Sequence, residues 1–495
     1  MNNRPVVVGL GTIQQKGNFN QLDEALILMD KAFKKAIVDC TNSNIKRYIE
    51  EVRVPKGFWR YRDPGKWVAV NNNIKSVKTT VAKVGILQQN LINTACNKIQ
   101  NGEIKASLIL GGESRFKILR SSIENKEYIE TALNTNPDKY DKSPEKLQLD
   151  IEEKELGSMA VGYYAILESA FRSMLQNNHE EHNNYLSEIY SSYSEIAASN
   201  KDGWIEKPLD KINIQTESNK NLRQAFPYNK YHCTSWNVNQ ACAIIICSED
   251  IADKLNIPFD KRVYPLASSE NNHMIPTLQR PNLIEPAGMH LAANFILDIC
   301  NKNNLIPNLY DLYSCFPVAV QMFAKSLKLK DIKDKTVTGG MPFAGGPLNS
   351  YVLHSTAKLI EKLRKHSGVG IVTGVSGMMT KQSYALWSKS PCIDFKYEDC
   401  TKKAKEIELP VKLSDQKSGS GKIIGYTIHM RDNVNKAIIF VDTDNNKRKL
   451  ITSSNRNIIN EMQNTEWVGK RINFSEDQLV WTDTAAFGLL KSAKP

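Results

Sequence analysis

Between Pro5 and Leu110 short apolar strands alternate with longer helical stretches, and this rhythm constrains the fold more than any other feature of the chain. Pro5 to Gly9 is a continuous apolar strand, and Leu22 to Val38 carries apolar residues at helical spacing. Thr79 to Val84 reads as a second strand, and Leu87 to Gln100 as a helix stopped by Asn101-Gly102. Ser107 to Leu110 is a third strand, closed by Gly111-Gly112. Strands joined through helices are parallel neighbours, so the sequence predicts βαβ units and an α/β fold.

From Phe116 to Phe226 the chain turns polar, helical and loop-rich, which reads as a large insertion. The strand pattern resumes at Ala241 to Cys247. Met289 to Cys300, Tyr351 to Leu363 and Gly370 to Thr373 then repeat the helix-and-strand rhythm, as a diverged second half would. After Cys400 the pattern changes again. Lys402 to Glu408 reads as a charge-rich linker and Ser418-Gly419-Ser420-Gly421 as a flexible one. Ile423 to Met430, Ala437 to Val441 and Arg448 to Thr452 follow as short strands, the spacing of a small β-domain or barrel. Three units are expected: residues 1–270 with the insertion at 116–226, residues 271–400, and residues 406–495.

Composition excludes several classes. Hydrophobic residues make up 41% and charged residues 24%, an ordinary globular balance. The longest apolar run, Ala241 to Cys247, is far too short to span a membrane. Met1-Asn2-Asn3-Arg4-Pro5 has no signal-peptide pattern, and Ser492-Ala493-Lys494-Pro495 no lipid or peroxisomal address, so the cytoplasm is the expected location. Nine irregularly spaced cysteines form no disulfide framework, and Cys242, Cys247 and Cys300 lie in apolar settings as packing residues. The net charge of +12 is spread along the chain, with short clusters such as Lys447-Arg448-Lys449. A solvated face is favoured over a nucleic-acid site, although Tyr426, Phe440 and Trp467 would offer stacking surfaces beside that cluster.

Short motifs specify little. Gly9-Leu10-Gly11 has Gln14 where a dinucleotide loop needs its third glycine, and Gly419-Ser420-Gly421-Lys422 precedes a strand where a phosphate loop precedes a helix. His179-Glu180-Glu181-His182 lacks zinc spacing and reads as an exposed polar helix; His232-Cys233 has no second pair, and no metal site is expected. Gly374-Val375-Ser376-Gly377 has Met378 where a nucleophile elbow needs glycine.

Four longer segments say more. They are Asn101 to Ser114, Cys233 to Glu249, Leu312-Tyr313-Ser314-Cys315-Phe316, and Thr338 to Pro347 with its Gly345-Gly346-Pro347. In this order they resemble the thiolase superfamily, and the Tyr-Ser-Cys-Phe-Pro and Gly-Gly-Pro variants with an extra C-terminal unit resemble its type 1 thiolase-like proteins, often labelled acetyl-CoA acetyltransferases. The resemblance implies a duplicated βαβαβαββ core in five layers, αβαβα, with an OB-like C-terminal domain. It also implies acyltransferase relatives in lipid metabolism, a CoA or acyl-CoA ligand with no covalently bound cofactor, and a monomer or homodimer.

Thiolase chemistry uses a thiolate at a helix N-terminus, a histidine that activates it, and a second cysteine that moves a proton. By resemblance those places, with the second-loop asparagine or histidine, fall on Gly85, Gly346, Thr373 and Tyr313. None supplies the required group, so loss of thiolase catalysis is expected. Cys96 lies eleven residues beyond Gly85, about 16 Å along a helix, and reads as packing. Ser235, Cys315 and Gly345 are the expected lining of a surviving CoA groove, with Trp236 and Tyr313 bulky enough to obstruct it. Removal of side chains at Gly85 and Gly346 is expected to leave open volume. An acyltransferase with other catalytic residues or a partner subunit is the main alternative; a scaffold whose C-terminal domain meets nucleic acid or protein is the third.

Overall fold

The computed structural model describes residues 2–431 and 434–480. Ser492 to Pro495, read above for a targeting address, lies outside the described residues.

The first half builds a six-stranded sheet. In spatial order its strands are β1 (Pro5–Gln14), β6 (Asn239–Ser248), β4 (Ala106–Ser114), β2 (Ile49–Pro55), β3 (Lys78–Ala82) and β5 (Lys139–Asp141). The pairs β4–β2, β2–β3 and β3–β5 are parallel, and β6 runs antiparallel between β1 and β4. Every residue of β6 and β4 is buried, which is why these strands read as unbroken apolar runs. Gly9 and Gly11, weighed above as a dinucleotide loop, lie inside β1. A Cβ at Gly11 would stand 1.9 Å from the Ala32 carbonyl oxygen, so glycine there lets helix α1 (Ala25–Asp39) rest on the strand.

The second half builds a five-stranded sheet in the order β8 (Leu309–Asp311), β9 (Val369–Ser376), β10 (Lys381–Ser388), β7 (Tyr264–Asn271) and β11 (Lys396–Asp399). Two helices, α2 (Gln88–Gln100) and α6 (Tyr351–Lys365), touch strands of both sheets and each other. α1 covers the outer face of the first sheet and α5 (Ala287–Lys302) that of the second. The paired central helices point their N-termini at one region, and that geometry places the site.

The insertion carries two long helices, α3 (Val161–Leu175) and α4 (His179–Ser199). His179 to His182, expected on an exposed helix, begins α4, but His182 is 1% exposed and its Nε2 lies 2.7 Å from Glu168 Oε1. Glu168 also accepts hydrogen bonds from Tyr228 and Gln321, so a buried carboxylate binds the insertion to the core.

The C-terminal unit is a closed barrel of β12 (Ser418–Arg431), β13 (Val434–Thr443), β14 (Arg448–Ser453), β16 (Gln478–Val480) and β15 (Arg471–Ser475), with α7 (Arg456–Asn464) between β14 and β15. Both linker expectations fail here. Lys402 to Glu408 falls largely on the helix Thr401–Ile407, whose Ala404 is buried, and Ser418 to Gly421 opens the barrel's longest strand. The barrel docks firmly on α3: Ser169 Oγ accepts from Tyr426 N at 2.8 Å, and Arg172 Nε donates to Glu466 at 2.8 Å.

Candidate functional site

Gly85 occupies the turn between β3 and α2, three residues before the helix begins, with φ +104°. An L side chain is strained at that φ. An added Cβ would also stand 3.0 Å from Ser143 Cβ and 3.8 Å from Ser143 Oγ. Gly346 lies in the turn that leads into α6, and a Cβ there would stand 2.1 Å from Thr234 Cγ2. The expectation of open volume at these two glycines is therefore overturned, because Ser143 and Thr234 fill it.

Gln88 ties the two turns together. Its Oε1 accepts from Val352 N at 2.8 Å, its Nε2 donates to the Leu348 carbonyl at 3.4 Å, and its side chain bonds the Tyr313 hydroxyl. Tyr313 is 8% exposed, packs edge-on against Tyr351, and donates its N–H to Thr373 Oγ1 at 2.8 Å. Thr373 is thus committed to a backbone bond. Thr234 donates from both N and Oγ1 to the Cys315 carbonyl. Ser235 brackets the glycine turn with its backbone, donating to the Met341 carbonyl and accepting from Gly346 N at 2.9 Å. Gly345, at φ +99°, abuts the Gln240 amide. Tyr313, Thr373, Ser235, Cys315 and the 345–346 turn thus lie together at the start of α2 and α6, with Gly85 three residues before α2.

Burial pushes the Cys315 thiol up to about 12, with Tyr164 opposing, and burial alone raises Cys96, which packs inside α2. At the rim, Trp236 stacks on the Arg115 guanidinium at 4.4 Å, which in turn covers Phe58 at 4.6 Å. Beneath them the buried Glu113 accepts from Phe58 N at 2.9 Å, and burial pushes its carboxyl up to about 7 against the pull of Arg115 and Lys56.

Beyond Gln88 and Thr234, two further groups escaped the sequence reading. Lys381, first residue of β10, has a side chain 3% exposed. Its Nζ lies 3.1 Å from the Gly85 carbonyl and 2.8 Å from Ser143 Oγ. Burial holds it below the usual lysine range while Glu145, 3.8 Å away, opposes. A lysine opening a strand is unremarkable in sequence, and Ser143 sits in the insertion's loop.

The nucleic-acid reading loses its residues. Tyr426, Phe440 and Trp467 are all buried in the barrel or its interface. Lys447 pairs with Asp415, and Lys449 with Asp477; Arg448 is 2% exposed and holds Asp442 and the carbonyls of Leu278 and Arg280. Among the described residues no group of three or more His, Cys, Asp or Glu could hold a metal, and no helix is long and apolar enough to cross a membrane.

No protein-family model and no curated protein matches this chain. Solved structures do. A monomeric SCP2-thiolase-like protein type 1 from Mycobacterium smegmatis superposes with TM-score 0.81 at 22% identity, over 97% of this chain and 100% of that one. The dimeric peroxisomal thiolase of Saccharomyces cerevisiae gives 0.54 at 15% identity, over 79% of this chain and 98% of its own. Acat5 thiolase from Ascaris suum, solved with coenzyme A, gives 0.51 at 15% identity, over 78% and 100%. The fold is that of a thiolase-like protein.

Proposed function

We propose that this chain is a cytoplasmic CoA or acyl-thioester binding protein of lipid metabolism that has given up the thiolase reaction. The observation that supports it is the pairing of Gly85 before α2 with Gly346 before α6. By the resemblance these are the two places where a thiolase carries its thiol and imidazole, and glycine can neither attack a thioester nor accept a proton. Ser143 and Thr234 occupy the space of the missing side chains, so the deletion is built in. A thiolase of this fold was solved with CoA, and Ser235, the 345–346 turn and the Trp236–Arg115 rim are the lining we assign to that ligand here. We read the layers as αβαβα. The strand order and the single helix before the fourth strand favour an OB-like barrel.

Titration calorimetry at low salt with CoA, acetyl-CoA and acetoacetyl-CoA tests the reading. Micromolar affinity, about −8 kcal/mol, is expected. It should weaken with added salt, because the phosphates meet lysine and arginine side chains. Thiolysis and condensation of acetoacetyl-CoA should stay at background. Turnover near 1 s⁻¹ would contradict the loss of the reaction; no heat and no thermal shift with any ester at millimolar concentration would contradict binding.

A further inference from the structure

We infer that Ser143 and Lys381 form a replacement nucleophile pair, able to accept an acyl group at the place the thiolase thiol has vacated. Three observations of geometry carry this. Ser143 stands against Gly85 itself, with its Oγ 3.8 Å from where the Cβ of a residue at 85 would be. The side chain that fills the gap therefore ends in a hydroxyl. Lys381 Nζ is 2.8 Å from that oxygen, inside the range for a base that takes a nucleophile's proton. The lysine is held in place by the Gly85 carbonyl at 3.1 Å, and its side chain is 3% exposed. A cavity of about 580 Å³ lies along the neighbouring chain: Ile86, next to Gly85, and Lys142, next to Ser143, line it, although the pair itself does not.

The surroundings suit the role. Burial lowers the lysine's proton affinity, which favours the neutral amine a base must present. Ser143 Oγ donates to Glu145 Oε2 at 2.9 Å and accepts from Lys381 Nζ, so Lys381 takes the hydroxyl proton only once it has lost its own and the hydroxyl has turned toward it. Arg53, Lys78, Lys98 and Lys139 also line the cavity, against Glu51, Asp138 and Asp141, and favour an anionic acyl donor.

In the step assigned here, Ser143 Oγ attacks the carbonyl carbon of an acyl thioester or ester while its proton passes to the neutral Lys381 amine. The carbon–sulfur bond, or the ester carbon–oxygen bond, then breaks, and Lys381 returns the proton to the leaving atom. The products are an acyl-serine and a free thiol or alcohol. Water attacking the acyl-serine releases the acid and restores the hydroxyl. No carbon–carbon bond is made or broken, so this activity is separate from thiolysis; it rests on the reading above only where the donor is a CoA thioester.

The test uses two donors on the full chain: p-nitrophenyl acetate, which has no CoA, and acetyl-CoA. Intact mass and peptide mapping should show one acetyl group on Ser143, with p-nitrophenol released in parallel. Ser143→Ala should lower both at least tenfold. Lys381→Arg supplies N–H donors for the Gly85 carbonyl but cannot accept a proton, so it should lose labelling, with the melting temperature measured beside it to show that the fold is kept. Labelling that survives in either variant, that maps elsewhere, or that fails with both donors overturns the pair. Acylation by p-nitrophenyl acetate without calorimetric binding of CoA supports the pair and refutes the CoA reading. CoA binding without acylation by either donor does the reverse.

Discussion

Adding one carbon at Gly346 tests whether Thr234 closes that position to any side chain. A Cβ there would stand 2.1 Å from Thr234 Cγ2 and 3.2 Å from Met341 Cε. Thr234 must then move, yet it is tied to the Cys315 carbonyl through N at 3.2 Å and Oγ1 at 3.0 Å. Overpacking of this kind costs about 1–3 kcal/mol, and a lost hydrogen bond about 1 kcal/mol more. Gly346→Ala should therefore destabilise by roughly 2–4 kcal/mol. Thr234→Ala alone removes the hydroxyl bond, for about 1 kcal/mol. In the double variant the nearest remaining atom of residue 234 is its Cβ at 3.5 Å, an ordinary contact. The pair should thus cost no more than about 1–2 kcal/mol, a favourable coupling of roughly 1–3 kcal/mol. Urea unfolding of the four proteins measures it. Strict additivity, or a Gly346→Ala cost below about 0.5 kcal/mol, would refute the steric reasoning and leave a histidine admissible in the present backbone.

Gly85→Cys should not restore thiolysis, because φ is +104° and the new Cβ would press on Ser143 at 3.0 Å; a standard thiolase assay with thermal melting checks both halves. Glu113 keeps its proton up to about pH 7 when folded, whereas the unfolded carboxyl releases it near 4.5. The folded state then binds more protons across that window, so this residue makes stability fall as pH rises, by about 3 kcal/mol at most. Glu113→Gln should flatten urea-unfolding midpoints between pH 5 and about 7. Glu168→Ala leaves His182, Tyr228 and Gln321 without their common acceptor and should cost about 3–5 kcal/mol in the same assay. Arg172→Ala removes the Glu466 ion pair between α3 and the barrel, and limited proteolysis should then cut the barrel sooner than in the wild type.

The core strands were legible because burial on both faces leaves only apolar residues, as in Ala241 to Cys247, and because Gly102 at φ +74° ends α2 where Asn101-Gly102 predicted. The opening of the barrel's first strand, Ser418 to Gly421, was not, although Ile423 to Met430 in the same strand was. Gly419 and Gly421 read as flexibility, yet a Cβ at Gly421 would stand 2.4 Å from the Asp442 carbonyl oxygen. Close approach and floppiness use the same residue, and only the neighbour tells them apart. The site divides in the same way. Tyr313 and Gly346 lie in segments that the sequence singled out, and Gly85 was assigned by its spacing before the first of them. Ser143, Thr234, Gln88 and Lys381 were not, since no local pattern records that residue 143 will meet residue 381. His182 misled for a related reason: its burial depends on Glu168, supplied by another helix.

β5 is only three residues long, yet it takes the outer edge of β3 and leads within two residues to Ser143. Its last residue, Asp141, also accepts from Lys83 N at 2.8 Å, one step before the turn at Gly85. An open strand edge is where a second chain adds itself to a sheet. Here the seat is taken from within, by the segment that also delivers the hydroxyl. A second copy that docked a strand along β3 would have to peel β5 away and withdraw Ser143 from Gly85. Association through that edge and a filled site are therefore mutually exclusive states of the same three residues.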